Sequence, residues 1–273
     1  MNSKRLLITG AFGGMGQVCA ELGAKAGYDL ILADLTIAGL AELQGRLPTE
    51  TLVEAFQLDV TDNSGVDTLV KAMASGGGID AVIHTVGVTP TMTSWQRIVD
   101  IDLIASVKFL EALRPVINSG GAAVCISSSS GYMVPTHSEV EAILAEPLAT
   151  DLFAKLDALA ENPLTNTGLA YAYAKKALRY YVADFAMAWG REGKRLVSIS
   201  PGLIATEAGN KENVVSQSFA MMKQAIALGR LGEPDEIAKV ALFLISDQAS
   251  FISGCDLLVD GGMIGSMGKA RPS

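Results

Sequence analysis

A glycine-rich turn between two apolar runs constrains this chain more than any other feature. The first run, Arg5–Thr9, is followed by four glycines within residues 10–16 and then by residues 17–26, which have the composition of a helix. The second run, Asp29–Asp34, ends in a carboxylate. In such a strand–turn–helix–strand unit the backbone can approach a pyrophosphate, which rests on free N–H groups of the helix N-terminus. We therefore expect a dinucleotide-binding unit in which Asp34 accepts hydrogen bonds from the adenosine ribose.

The alternation of apolar and helical segments continues along the chain. Apolar runs at 53–60, 81–86, 122–127, 196–200 and 256–259 predict further strands, with helices near 36–46, 64–75, 95–118, 169–190 and 234–247. Continuously apolar strands that alternate with helices are typical of parallel strands buried on both faces. We predict a single-domain α/β fold over residues 1–273, a Rossmann-type doubly wound parallel sheet of about seven strands. Ligands of such sheets bind beyond the carboxyl ends of the strands.

Charge, hydropathy and cysteine usage exclude several classes of function. The formal net charge of −8 argues against a nucleic-acid partner. The apolar runs are far shorter than the roughly 20 residues that span a bilayer, so no membrane segment is expected. Three widely spaced cysteines predict neither a disulfide framework nor a metal site, and they suit a reducing cytoplasm.

Tyr171 and Lys175 form a chemically suggestive pair. They lie four residues apart in a predicted helix and therefore point from one face. The ammonium favours phenolate, which lowers the tyrosine pKa from about 10 towards the pH at which proton transfer is efficient. Because Tyr-x-x-x-Lys occurs by chance in many helices, the pair needs support from the rest of the chain.

That support comes from a series of motifs in a fixed order. They are Thr9-Gly10-x-x-x-Gly14-x-Gly16, Asp59-Val60, Ser127-Ser128-x-x-Gly131, Tyr171-x-x-x-Lys175, Pro201-Gly202-x-Ile204-x-Thr206, residues 229–237 and Val259-Asp-Gly-Gly262. Together they resemble the short-chain dehydrogenase/reductase family over nearly the whole chain.

The resemblance implies roles for individual residues. Tyr171 would exchange a proton with the substrate oxygen, Ser128 would hydrogen-bond that oxygen, and Lys175 would bind the nicotinamide ribose and lower the tyrosine pKa. Asp102 stands where the family has its fourth catalytic residue, an asparagine. The cofactor contacts implied are Gly10, Gly14, Met15, Gly16, Asp34, Leu35, Asp59, Val60, Gly87, Tyr171, Lys175, Ile204 and Thr206.

Two departures from the family pattern concern the neighbourhood of the site. The family's Asn-Asn-Ala-Gly is replaced by His84-Thr-Val-Gly87, and we expect His84 to be a structural residue at a strand end. Asp102 can accept the hydrogen bonds of the family's asparagine but cannot donate when ionised. It is kept as a candidate relay residue; the alternative is a polar residue that distorts its helix and helps place a water.

Asp34 also predicts the cofactor. Its carboxylate would repel a 2′-phosphate, and residues 11–13, 35 and 36 include no lysine or arginine that could neutralise one. NAD(H) is therefore expected rather than NADP(H).

Two segments are expected to differ among relatives. Residues 136–168 are an insertion between Ser128 and Tyr171, and Pro147 is expected to split it into two helices. It could form a wall over the substrate, or a surface element that alters subunit assembly; a similar insertion occurs in bacterial hydroxysteroid dehydrogenase/carbonyl reductase relatives. Residues 203–228 correspond to the family's substrate loop, and their apolar side chains suit a hydrophobic alcohol or ketone.

The sequence thus predicts an NAD-dependent alcohol dehydrogenase or carbonyl reductase for a hydrophobic or alicyclic substrate, including a steroid-like one. The alternatives are a 3-oxoacyl carrier-protein reductase and a non-catalytic NAD-binding regulatory module. Asp34 and the negative net charge weigh against the first, and Ser128, Tyr171 and Lys175 against the second. The resemblance further implies a cytoplasmic homodimer or homotetramer.

Overall fold

The computed structural model describes residues 3–206 and 217–267 and contains one seven-stranded sheet. The strand order is β3-β2-β1-β4-β5-β6-β7, and every neighbouring pair is parallel. The strands are β1 (Arg5–Thr9), β2 (Asp29–Asp34), β3 (Val53–Gln57), β4 (Ile79–His84), β5 (Ile117–Ile126), β6 (Arg195–Pro201) and β7 (Asp256–Val259). The order reverses between β1 and β4, which is where a doubly wound sheet opens a crevice for ligands.

Helices connect these parallel strands. They are α1 (Gly14–Lys25), α2 (Leu40–Gln44), α3 (Asn63–Ser75), α4 (Trp95–Val99), α5 (Ser106–Leu113), α6 (Ser130–Met133), α7 (Ser138–Leu144), α8 (Leu152–Asp157), α9 (Thr167–Arg191), α10 (Gln217–Ala225), α11 (Pro234–Ile245) and α12 (Met263–Met267). A π-helix, Asp100–Ala105, joins α4 to α5.

The sheet is buried on both faces. Successive residues of β1 point to opposite sides, so Leu7 packs with α3, α5 and α9, whereas Leu6 and Ile8 pack with α1 and α11. All three side chains are fully buried. Two apolar layers around one parallel sheet confirm the predicted doubly wound α/β fold.

Several element boundaries differ from the sequence-based ones. The helix predicted over 95–118 is divided by the π-helix and ends at Leu113, while β5 already begins at Ile117. The sequence did not predict the first half of β5, because Gly120 and Gly121 are typical of a turn. The helix predicted over 36–46 is only Leu40–Gln44, and β3 ends at Gln57 rather than at residue 60.

The insertion at 136–168 forms two short helices, α7 and α8, on either side of Pro147, as predicted. Its apolar side joins the core layer that contains α4 and α9, and the rings of Trp95 and Phe153 lie 6.0 Å apart. Glu141 of α7 accepts a 2.8 Å hydrogen bond from Lys176 of α9. The insertion is therefore anchored beside the helix that carries the candidate catalytic pair.

Candidate active site

The end of β5 and helix α9 are locked together by reciprocal hydrogen bonds. The Ser127 hydroxyl donates to the Lys175 carbonyl at 2.8 Å, and Lys175 Nζ donates to the Ile126 carbonyl at 3.1 Å. A Cβ on Gly131 would lie 2.9 Å from the Lys176 backbone nitrogen, so only glycine permits this approach. The serine segment and the Tyr-x-x-x-Lys helix, distant in sequence, are thus brought to one place.

Lys175 lies beneath Tyr171. Its Nζ atom is 5.7 Å from the centre of the tyrosine ring, and only 3% of the residue is exposed. Burial disfavours the charged ammonium, but Asp102 and Tyr171 outweigh it and raise the pKa of Lys175 above its ordinary value. The ammonium therefore remains charged beside the phenol, as the spacing of the pair predicts.

Ser128 lies directly after β5 and is 9% exposed. Its Oγ accepts a hydrogen bond from the Ser130 backbone N–H at 3.1 Å and lies 3.2 Å from the Ser130 hydroxyl. The backbone N–H of Ser129 donates to the Pro201 carbonyl, which ties this turn to the end of β6. The hydroxyl is held at the carboxyl edge of the sheet by backbone contacts on both sides.

Asp102 is placed against the same lysine by the π-helix. Its Oδ1 accepts a 2.9 Å hydrogen bond from the Val88 backbone N–H and lies 3.7 Å from Lys175 Nζ. A Cβ on Gly87 would lie 3.0 Å from that oxygen and 3.1 Å from the ammonium. Burial raises the pKa of Asp102, while Lys175 and the Val88 N–H oppose this shift. The expected relay position is thus occupied by a buried acid in an ion pair.

His84, the last residue of β4, is buried between the sheet and the π-helix. The Ser106 hydroxyl donates to the Ile101 carbonyl at 2.9 Å, so its oxygen must accept from His84 Nε2 at 3.0 Å. This assigns the proton to Nε2 and leaves Nδ1 to accept from the Thr9 hydroxyl at 2.7 Å. Burial, and then Lys175, lower the pKa of His84 to about 3, so the ring is neutral and structural.

The glycine turn after β1 has the geometry of a nucleotide cradle. Gly10 adopts a φ of 67°, and a Cβ there would lie 2.6 Å from the Thr85 hydroxyl oxygen. Gly13 caps α1 without a side-chain hydrogen bond, and no acidic residue lies in the first turn of that helix. A Cβ on Gly14 would lie 3.4 Å from the Thr206 methyl carbon. The turn, the α1 N-terminus and the segment after β6 therefore lie next to one another, and free N–H groups at a helix N-terminus suit a pyrophosphate.

Asp34 is fastened to this turn. Its Oδ2 accepts from the Phe12 backbone N–H at 2.8 Å and its Oδ1 from the Leu35 N–H at 2.7 Å. Each carboxylate oxygen has a second lone pair, so both remain able to accept from ribose hydroxyls. Leu35, the next residue, is 64% exposed and is therefore accessible to a ligand bound at Asp34.

The other predicted cofactor residues take up different positions. Asp59 accepts hydrogen bonds from the backbone and hydroxyl of Thr61, and Val60 is buried. Met15 and Gly16 lie in the first turn of α1, and a Cβ on Gly16 would overlap the Gly10 carbonyl. Ile204 forms an isolated parallel bridge with Gly232.

Sequence reasoning missed Ser106 and the structural role of Ser127. Both are serines on apolar elements, and only the tertiary partner of each hydroxyl distinguishes it. The expected substrate loop, 203–228, falls partly on residues 207–216, which lie outside the described residues.

Across the described ranges, no group of three or more histidine, cysteine, aspartate or glutamate side chains could hold a metal ion. Within the same ranges, no helix combines the length and hydropathy needed to cross a bilayer.

The comparisons with known proteins agree with this geometry. A family described as enoyl-(acyl carrier protein) reductase matches residues 10–145 and 155–264. A short-chain dehydrogenase/reductase of Alternaria brassicicola is 28% identical over 279 residues, covering 100% of both chains. The 3-alpha-hydroxysteroid dehydrogenase/carbonyl reductase of Comamonas testosteroni is 29% identical over 272 residues, covering 94% of this chain and 95% of that relative.

A solved structure extends the similarity to three dimensions. The 3-alpha-hydroxysteroid dehydrogenase from Pseudomonas sp. B-0831, complexed with NADH, superposes with a TM-score of 0.77 at 25% identity. The match covers 99% of this chain and 100% of that one. Because nearly the full length of both chains is covered, the likeness extends beyond the nucleotide-binding half.

Proposed function

This chain belongs to the short-chain dehydrogenase/reductase family of oxidoreductases, and from that membership we propose that it transfers a hydride between NAD(H) and a secondary alcohol or ketone. The observation that carries the proposal is the buried Lys175 ammonium, 5.7 Å from the centre of the Tyr171 ring and hydrogen-bonded to the end of the strand that presents Ser128. A cation held under a phenol at the ligand edge of a parallel sheet can act as an acid/base device.

The proposed mechanism divides the reaction between cofactor and protein. NAD(H), when bound, supplies the hydride acceptor or donor. Tyr171 removes the proton from the alcohol oxygen, or returns it to the oxygen of a ketone. Ser128 donates a hydrogen bond to that oxygen as negative charge develops, and one such donor is worth about 3 kcal/mol in comparable sites. Lys175 stabilises the phenolate form of Tyr171 and binds the nicotinamide ribose.

We infer NAD(H) rather than NADP(H) from Asp34. Its carboxylate is held at the end of β2 by two backbone N–H groups, so it cannot swing away from a 2′-phosphate without losing both. An exchange of Asp34 for arginine is expected to reverse the preference, because a guanidinium would pair with the phosphate.

The proposed substrate is hydrophobic or alicyclic, and a steroid-like compound is included. Exposed methionines occur in each of the three segments that follow β4, β5 and β6 at the ligand edge: Met92 is 61%, Met133 37% and Met221 65% exposed. Flexible apolar side chains at the rim of a site favour an apolar ligand. The two hydroxysteroid dehydrogenase relatives support the same class.

Two alternative functions are distinguished from the proposed one by experiment. A 3-oxoacyl carrier-protein reductase would reduce acyl thioesters with NADPH, and a regulatory module would bind NADH without turnover. The proposal also includes a cytoplasmic homodimer or homotetramer, which light scattering of the purified protein would distinguish from a monomer.

The experiment that tests the proposal follows absorbance at 340 nm with NADH and NADPH against ketones graded by size and polarity. We expect NADH-dependent reduction of bulky apolar ketones, and loss of turnover with retained NADH binding in Tyr171→Phe. Binding of NADH with no turnover of any ketone or alcohol would support the regulatory module instead.

A further inference from the structure

Two buried charged side chains face each other behind the proposed acid/base residue. Asp102 is 0% and Lys175 3% exposed, and Asp102 Oδ1 lies 3.7 Å from Lys175 Nζ. Most members of the family carry an uncharged asparagine at this position. The exchange places a negative charge next to the cation that favours the phenolate of Tyr171.

Two positively polarised groups beside Asp102 favour its carboxylate form. Oδ1 faces two donors, the Val88 N–H and the Lys175 ammonium. Oδ2 is buried and has no hydrogen-bond partner among the described residues, so both donors act on Oδ1. Burial opposes the charge, whereas the Lys175 ammonium and the Val88 N–H beside Oδ1 favour it.

Among the residues that the structure describes, no other negatively charged carboxylate is identified as acting on the Lys175 ammonium. The groups that act electrostatically on Lys175 are Asp102, Tyr171 and the Cys125 thiol, which burial keeps neutral by raising its pKa to about 12. His84 is neutral at physiological pH, because burial and Lys175 lower its pKa. Within the described part of the chain, Asp102 is therefore the anion that balances Lys175.

We propose that Asp102 is the counter-ion of Lys175 and cancels part of the positive field that Lys175 exerts on the Tyr171 hydroxyl, so that Tyr171 gives up its proton at a higher pH than it would beside an asparagine. The inference rests on the proposed function for the role of Tyr171. It assigns Asp102 as a positioning and charge-setting residue, since it touches the lysine and not the reacting atoms.

The π-helix keeps this charge in place. His84 Nε2 donates to the Ser106 hydroxyl, which in turn donates to the Ile101 carbonyl one residue before Asp102. A π-turn adds a residue to the turn and so changes the direction in which the following side chains point. A neutral histidine braces the turn without adding a second charge to the pocket.

The expected size of the effect follows from the arrangement. Asp102 contacts the ammonium directly, so it offsets some but not all of the effect of Lys175 on the phenol. Charges within several ångströms of one another in a partly buried site shift titrations by about one pH unit. Asp102→Asn is therefore expected to move the Tyr171 titration about one unit towards lower pH.

The test is a tyrosinate titration at 295 nm on the protein without cofactor. The contribution of Tyr171 is the difference in absorbance at 295 nm, at each pH, between a protein and its Tyr171→Phe variant. This difference is measured for one pair that keeps Asp102 and for a second pair in which both members also carry Asp102→Asn. The matched control is Asp100→Asn, which removes a charge from the same π-helix where Asp100 pairs with Arg97 at the surface. It should leave the Tyr171 titration unchanged.

A downward shift in Asp102→Asn but not in Asp100→Asn supports the proposal. An unchanged midpoint overturns it, and so does an upward shift, which would mean that Asp102 serves to keep Lys175 protonated. Asp102→Ser removes the same charge with a smaller side chain and replaces Asp102→Asn if that variant does not fold. Because the titration needs neither substrate nor turnover, the counter-ion proposal can fail while the oxidoreductase proposal stands, and the reverse.

Discussion

Removal of the Lys175 charge should change the pH at which this enzyme works. With Lys175 Nζ 5.7 Å from the centre of the Tyr171 ring and an effective dielectric constant of about 20, the ammonium stabilises the phenolate by about 3 kcal/mol. That energy corresponds to about two pKa units. Lys175→Met keeps most of the length and the apolar character of the side chain and removes the charge together with the hydrogen bond to the Ile126 carbonyl.

The sign of the effect follows from the role of the phenolate as base. Alcohol oxidation rises with pH through the Tyr171 titration, so an upward shift of about two units lowers the rate about 100-fold at any pH below both midpoints. The assay is the pH profile of kcat for alcohol oxidation at saturating cofactor and substrate, together with the 295 nm titration of Tyr171.

Lys176→Met provides the matched control. Lys176 is the next residue on α9, and its ammonium is already paired with Glu141 at 2.8 Å on another face of the helix. Lys176→Met should lower the free energy of unfolding modestly and leave the pH profile of kcat unchanged. A Lys175→Met protein whose Tyr171 midpoint stays at the original value would refute the electrostatic account of the pair.

Two further predictions concern the support of the site. Gly87→Ala should lower the free energy of unfolding by about 1–3 kcal/mol and reduce turnover, because its Cβ would press on Asp102 and Lys175. The control is Gly190→Ala, whose Cβ would meet no described atom within 4 Å, so the thermal midpoint should stay equal or rise. Ser106→Ala should lower the free energy of unfolding by about 1–3 kcal/mol in urea titrations, because His84 Nε2–H loses its acceptor; a cost below the error of the titration would contradict the bracing role of His84.

Much of the fold could be predicted because its signals are local. Apolar runs such as Asp29–Asp34 and the glycines after Arg5–Thr9 report strand and turn from a few adjacent residues, and their alternation determines the sheet class. The start of β5 was missed because Gly120 and Gly121 resemble a turn; they lie at an irregularity in the pairing with β4, between the Ile79–Ile117 and Ala81–Ala122 pairs.

The candidate site likewise has parts with a local sequence signal and parts without one. The closeness of Tyr171 and Lys175 could be predicted because a helix fixes residues four apart on one face. The sequence offered a helix distortion at Asp102 as one alternative, and the π-helix at 100–105 is such a distortion; its bounds could not be foreseen, since Ser106 contacts a histidine 22 positions away. The Asp102 carboxylate is held next to Lys175 by the Val88 N–H, a contact between segments 14 residues apart.

The central claim is that Tyr171 supports hydride transfer between NAD(H) and a carbonyl carbon. The most direct measurement supplies NADH deuterated at C4 of the nicotinamide and an apolar cyclic ketone, then determines by mass spectrometry whether deuterium appears on the carbinol carbon of the product. The account predicts deuterated alcohol from the unchanged protein and none from Tyr171→Phe, although both bind NADH. Equal deuterium transfer by the two proteins, or none by either, would contradict it.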